Sequence, residues 1–250
     1  MGSRPIARAI ESVMNCSAVG PSSHSTIDRT SIVAPFLPVV RPRVTKILLI
    51  RHGHVEGIKP ERFRGRADLA LTEHGKAQAE LVARRVAWAW RPSAVYTSPM
   101  QRCVATGAAI AKACGVASAV LEELADLDYG TWQFASYEEA RVRDPELFAK
   151  WFATPHLVRF PDGESLQDLA ARAAKALRYI LVWHVDNTVV LVSHDSFNRV
   201  LFTQLLDQSL ASYWRLAQDP CCLNEIDLTQ GQVRVLRINE THHLQGLAEG

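Results

Sequence analysis

No stretch of the 250-residue chain is apolar for long enough to cross a bilayer: runs such as Ile47-Leu48-Leu49-Ile50 end after a few residues, against the ~20 that a spanning helix needs. No membrane partner is expected. Cysteine is also sparse. The five (Cys16, Cys103, Cys114, Cys221 and Cys222) are odd in number and show no C-x-x-C spacing. That pattern argues against a disulfide framework or a cysteine zinc site, and for a reducing, cytoplasmic compartment. The adjacent Cys221 and Cys222 are expected to alternate across a strand, one inward and one outward. Neither sign of charge is in excess: 28 Lys and Arg against 26 Asp and Glu leave a formal net charge of +2. Nothing in that balance calls for nucleic acid. A Walker lysine loop and a G-x-G-x-x-G turn are both missing, as is any internal repeat.

What is present is the composition of a soluble globular protein, 48% hydrophobic and 22% charged. The length suffices for one large domain or two small ones. Residues 1–43 differ from the rest, mixing Ser, Pro and Arg with few acids and ending in Arg41-Pro42-Arg43. They lack the long apolar core and small-residue cleavage site of a secretory signal. Residue 6 is Ile, where myristoylation favours Ser or Thr. A flexible leader is expected there, ahead of one domain over 44–250; its composition leaves organellar targeting open.

From Thr45 onward, short apolar runs alternate with helical patterns. Strands are predicted at Ile47–Ile50, Ala94–Thr97, Ala117–Leu121 and Thr188–Val192. Helices are predicted from Thr72 to about Trp88, from Ser98-Pro99 to Gly115, from Glu164 or Ser165 to about His184, after Asp195 through Leu206, and over Leu210–Ala217. A hairpin of Leu223–Leu228 and Val233–Ile238 turns at Gln230-Gly231. Residues 132–164 are irregular and aromatic, with two short helices broken at Asp144-Pro145. The expected architecture is α/β: a three-layer, doubly wound, mostly parallel sheet with helices on both faces, an antiparallel edge and a small helical lid insertion over 132–164.

Two strand ends look alike, Ile50-Arg51-His52-Gly53 and Val192-Ser193-His194-Asp195. In open α/β sheets the C-terminal strand edge is where ligands bind. If both strands are central and parallel, His52 and His194 project at that edge together. Arg51 can fork two donors onto a phosphate or carboxylate. His52 can serve as base or nucleophile. Gly53 lets the backbone approach a ligand closely. Ser98-Pro99-Met100-Gln101-Arg102 adds a helix N-terminus with Arg102 in its first turn, an anion-attracting feature. Together these groups form a phosphate pocket. A competing reading takes His52-Gly53-His54 as the H-x-H opening of a metal-dependent hydrolase barrel. Few further ligands at metal spacing occur downstream, and the chain is short for such a barrel.

These pieces resemble the histidine phosphatase superfamily, the phosphoglycerate mutase-like fold, over about Lys46 to Leu244. Arg51-His52-Gly53 is similar to its R-H-G signature. The stretch from Gly65-Arg66-Ala67-Asp68 through Leu71-Thr72 and Gly75 to Gln78-Ala79 resembles its G-x-x-D-x-x-L-T-x-x-G-x-x-Q-A block. Ser98 to Arg102 is similar to its S-x-x-x-R block, Gly163-Glu164-Ser165 to G-E-S, and Ser193-His194 to its second histidine. The resemblance implies that His52 is a nucleophile forming a phosphohistidine, with Arg51, Arg102 and His194 holding the phosphoryl oxygens. It implies no metal and no cofactor.

The proton donor departs from the family pattern. Where a Glu is usual, Leu124-Ala125-Asp126-Leu127 supplies Asp126, with Glu122 and Glu123 just upstream as alternatives; Asp195 matches the acid of the family's acid phosphatase and phytase branch. Ile58 stands where many members carry Asn, leaving room for Arg62, Arg64 or Arg66 to bind substrate, unless they form a solvated loop. The expected activity is hydrolysis of a small-molecule phosphate ester. Mutase-type phosphoryl transfer and a catalytically weak regulatory or binding role are the alternatives, and a homodimer is left open.

Overall fold

The computed structural model describes residues 43–229 and 231–247. The expectations for residues 1–42, and for Gln230 in the hairpin turn, lie outside the described residues. In chain order the elements are β1 (Thr45–Arg51), α1 (Glu73–Ala89), β2 (Ala94–Thr97), α2 (Gln101–Cys114), β3 (Ser118–Val120), α3 (Tyr137–Arg143), α4 (Pro145–Ala153), α5 (Leu166–Trp183), β4 (Thr188–Ser193), α6 (Asp195–Leu205), β5 (Leu223–Thr229) and β6 (Gln232–Glu240). They form one six-stranded sheet in the order β3-β2-β4-β1-β5-β6. The first four of these run parallel, β5 is antiparallel to β1, and β6 is antiparallel to β5.

Period-2 alternation in β1 explains the three layers. Ile47 and Leu49 pack on one face against Leu169, Ala173 and Ile180 of α5 and Val200 and Leu201 of α6. Leu48 and Ile50 pack on the other, against Val82 and Val86 of α1 and Cys103 and Ile110 of α2. All four side chains are fully buried, each contributing about 1.5–3 kcal/mol. The run is continuous because both faces are covered. Register then sets the site: Ile50 lies beside Val192 and Arg51 beside Ser193, so His52 and His194 leave the sheet side by side.

Capping chemistry sets the helix starts. Thr72 accepts from Gly75 N and opens α1. Asp144 caps α4 ahead of Pro145 at its first turn. Ser165 and Asp168 form a reciprocal capping box on α5, a device that satisfies two orphan donors. The start of α2 differs from the sequence reading. Ser98 does not cap it; Met100 holds the cap position and the helix begins at Gln101. The Ser98 hydroxyl lies 2.7 Å from His194 Nε2, while Asp68, 33 residues upstream, accepts from Gln101 N at 2.8 Å. Leu210–Arg215 is a short 3-10 helix rather than an α-helix to Ala217.

Cys221 and Cys222 do not alternate across a strand. Both are fully buried in the turn before β5, where Cys221 N–H donates to His52 O and Cys222 O accepts from Arg51 N–H. That turn ties down the end of β1, and Cys221 takes a φ of 54° to do so. His243 is half-buried, with Nε2 3.1 Å from the Cys221 carbonyl oxygen. Residues 132–164 join the main core: Trp132, Trp151 and Phe160 are each about 1% exposed and share one cluster with Ile47 and Leu49.

The R-H-G loop sits close against the start of α1. A Cβ on Gly75 would meet His54 O at 2.1 Å, and one on Gly53 would meet Gly75 O at 2.5 Å. Both contacts are with backbone, which cannot swing aside. Gly75→Ala is therefore expected to destabilise the protein by about 1–3 kcal/mol, read as a lowered urea midpoint. An unchanged midpoint would show that the loop and helix can separate freely.

Candidate active site

His52 follows the last residue of β1 and is 1% exposed. Its Nδ1 lies 2.7 Å from Gly53 O, and Arg102 Nε points at its Nε2 at 3.2 Å. A carbonyl oxygen can only accept, and a guanidinium N–H can only donate. The two contacts together assign the proton to Nδ1 and leave a lone pair on Nε2. Burial, reinforced by Arg102 and Arg51, holds the ring pKa well below its ordinary value. The imidazole is neutral, as a nucleophile requires.

Arg102, in the first turn of α2, is completely buried. Its Nη1 donates to Ala67 O (2.7 Å) and its Nη2 to Gly65 O (2.6 Å) and Asp126 Oδ2 (3.3 Å). The same Nη2 is 3.1 Å from His194 Nδ1. One guanidinium thus touches both imidazoles and the carboxylate. His194 is also fully buried, its ring 5.1 Å from that of His52, edge to face. Burial first, then Arg102, lowers its pKa well below the ordinary value too. Arg51, 6% exposed, donates from Nη1 to Gln218 O and reaches Asp195 at 4.0 Å.

The acids are sorted by their surroundings. Asp126 is 2% exposed and stands 3.5 Å from His194 Nδ1. Burial outweighs Arg102 and pushes its carboxyl up to about 6. Arg172 holds the segment in place, donating to Ala125 O and Asp126 O while paired with Glu164 of the G-E-S block. Asp195 is the opposite case. Burial pushes it up, but Arg51, Arg199 and Arg64 together pull it far below the usual carboxylate range. Glu122 and Glu123 are not brought to the cluster: Glu122 is exposed, and Glu123 is engaged by Lys175 at 2.5 Å. They lie in the short 3-10 turn Glu122–Leu124 just upstream.

A cleft of about 140 Å³ opens beside these groups, lined by Ile58, Arg62, Arg64, Asp126, Asp195 and Arg199 among others. The three arginines of the loop separate. Arg64 is on the cleft wall, 3.7 Å from Asp195. Arg62 lies over the Phe134 ring and donates to its carbonyl, and Arg66 pairs with Asp128 and Glu164 away from the cleft. His54 rests against Thr72 and His74. Among the described residues no group of three or more His, Cys, Asp or Glu is placed to hold a metal ion, and the sheet is open, unlike the barrel of the H-x-H reading. Sequence reasoning misses two contributors. It reads Ser98 as the start of a helix and of the S-x-x-x-R block without placing it beside His194, and it does not single out Arg199, although a place four residues after Asp195 puts both on one helix face.

A buried pair of imidazoles with lowered pKa under two guanidinium groups stands at the C-terminal edge of the four parallel strands, an arrangement with the charge and donors to receive a phosphoryl group. The family model for the histidine phosphatase superfamily (branch 1) matches residues 47–241, and the chain belongs to that superfamily. It is a phosphatase, hydrolysing phosphate monoesters of small metabolites. Phosphoserine phosphatase 1 of Hydrogenobacter thermophilus is 31% identical over 80% of this chain and 95% of its own. The metal-independent phosphoserine phosphatase of Arabidopsis thaliana is 30% identical over 69% of this chain and 73% of its own. Among solved structures, Bacillus stearothermophilus YhfR superposes with a TM-score of 0.76 at 26% identity, covering 80% of this chain and all of that one. Among the described residues no helix is long and apolar enough to cross a membrane.

Proposed function

We propose that hydrolysis runs through a phosphohistidine on His52 Nε2, with Asp126 as the proton donor. The observation that carries this is the pairing of Nδ1 with Gly53 O, which leaves Nε2 neutral and aimed into the arginine cluster. The phosphoryl group takes its place between Nε2, Arg51, Arg102 and His194. Nε2 bonds to phosphorus as the ester P–O bond breaks. The leaving oxygen takes the Asp126 proton. Water, deprotonated by Asp126, then attacks phosphorus, the P–N bond breaks, and phosphate departs with His52 neutral again. Charge spread over the equatorial oxygens is met by guanidinium donors already in position. The helical segment at 132–164 supplies Tyr137 to the cleft wall, consistent with a role in covering the substrate. The described cysteines are free thiols, which fits a cytoplasmic enzyme.

Asp126 rather than Asp195 is the donor because only a carboxyl near pH 6 holds a proton to give. Asp126→Asn is expected to lower kcat by about 10²–10⁴-fold for alkyl phosphates. p-Nitrophenyl phosphate should suffer far less, since its leaving group needs little protonation. The two acidities fix the sign of the pH effect. His52, its pKa held well below the ordinary value by burial and the neighbouring arginines, is already neutral, while Asp126 loses its proton as pH rises through about 6. Turnover of an alkyl ester should fall on the alkaline side, and that limb should vanish in Asp126→Asn. Equal losses with both leaving groups would remove Asp126 from the role.

A further inference from the structure

Asp126 has to keep a position that its own charge does not secure. Its carboxyl accepts from Arg102 Nη2 at 3.3 Å and from Leu127 N at 2.9 Å. The first of these bonds weakens once the carboxyl carries the proton it is to give, because its charge is then gone. Placement falls to the backbone, yet residues 125–129 lie in no strand or helix. The 3-10 turn Glu122–Leu124 closes with Ala125 N on Glu122 O. Four successive carbonyl oxygens, those of Glu123, Leu124, Ala125 and Asp126, go to side chains. Leu124 O accepts from Ser193 Oγ at 2.7 Å, and the other three accept from Arg172.

Arg172 spends its whole fork on this hold. Its Nη1 donates to Glu123 O at 3.0 Å and Ala125 O at 2.7 Å. Its Nη2 donates to Asp126 O at 3.0 Å and Glu164 Oε2 at 2.8 Å, and its Nε to Glu164 Oε1 at 3.0 Å. No donor of the guanidinium is left over. Glu164 adds a second grip beyond the carboxyl, since Oε2 also accepts from Asp128 N at 3.0 Å. Its Oε1 accepts from Arg66 Nη2 at 3.1 Å. Both residues belong to one rigid element. Glu164 directly precedes the Ser165 cap of α5, and Arg172 stands on that helix beside Leu169, Ala173 and Ala176, all buried in the core. Neither residue lines the cleft, so an effect of either on turnover reaches the substrate through Asp126.

We infer that Arg172, braced by Glu164, is the positioning residue of the proton donor and so sets how well the enzyme hydrolyses esters with poor leaving groups, a role that rests on Asp126 being that donor. The test compares alkyl esters (phosphoserine, 3-phosphoglycerate and glycerol 3-phosphate) with p-nitrophenyl phosphate in each variant. Taking the alkyl-to-aryl ratio of kcat within a variant cancels any loss of folded protein. Arg172→Met is expected to lower that ratio by about 10–100-fold, up to the cost of misplacing a reacting group by about an ångström. Arg172→Lys should lower it nearly as far, because one ammonium cannot span three carbonyls and a carboxylate. In an Asp126→Asn background neither substitution should lower the ratio further, since the group being positioned is already gone. A ratio unchanged in both Arg172 variants, full recovery with lysine, or an equal further drop beside Asp126→Asn would overturn the inference. Failure of the donor reading looks different: Asp126→Asn itself would then keep the wild-type ratio, and the positioning role would fall with it.

Discussion

His52→Ala is expected to lower kcat by about 10⁴-fold or more, for aryl and alkyl phosphates alike. The size of the loss has a chemical origin. Without Nε2 no phosphoryl acceptor remains at the end of β1, and water must attack the ester directly. The indifference to leaving group is the diagnostic part. A nucleophile is needed for every ester, whereas a proton donor matters only for poor leaving groups. The fold should survive, because the ring's contacts are with Gly53 O and the Arg102 and His194 side chains rather than with the hydrophobic core. Steady-state kinetics on both ester types, beside a thermal melt, checks this. A variant that melts cooperatively and keeps a tenth of the wild-type rate would be incompatible with a nucleophilic His52.

Arg102→Lys is expected to cost nearly as much as Arg102→Met, about 10³-fold or more in kcat. Lysine keeps the charge but not the fork. In the folded protein Nε addresses His52, Nη1 addresses Ala67 O, and Nη2 addresses Gly65 O, Asp126 and His194. A single ammonium cannot reach those points from one position. Removing the guanidinium also leaves Asp126 without its strongest opposing charge, so its carboxyl should rise above about 6 and stay protonated. The alkaline limb of the pH profile should move upward with it. Rescue of turnover by lysine would show that a point charge suffices and that the fork geometry is incidental.

Much of the site was legible in the sequence because β1 and β4 announce themselves twice, by unbroken apolar runs and by the histidine-bearing loops that end them. Buried parallel strands must be apolar on both faces, so Ile47–Ile50 and Thr188–Val192 could be placed without tertiary information. Parallel pairing then brings His52 and His194 together whatever the connection between them. The features that escaped depend on contacts distant in the chain. Ser98 has the sequence of a helix cap, yet a histidine 96 residues away takes its hydroxyl and Asp68 caps the helix in its stead. Asp126, Glu122 and Glu123 are three acids within five positions, and only the fold distinguishes them by burying one beside Arg102 and leaving another to Lys175. Arg62, Arg64 and Arg66 alternate along one loop, and the middle one alone faces Asp195 because Phe134 and Glu164 take the others.

The central claim is a covalent bond between phosphorus and one particular nitrogen. Mixing the protein with a ³²P-labelled phosphate monoester, quenching within a single turnover and mapping the label to a peptide tests it directly. The predicted result is acid-labile, base-stable label on the peptide that holds His52, absent from His52→Ala. Label on the His194 peptide instead, or full turnover with no protein-bound label at any quench time, would contradict it.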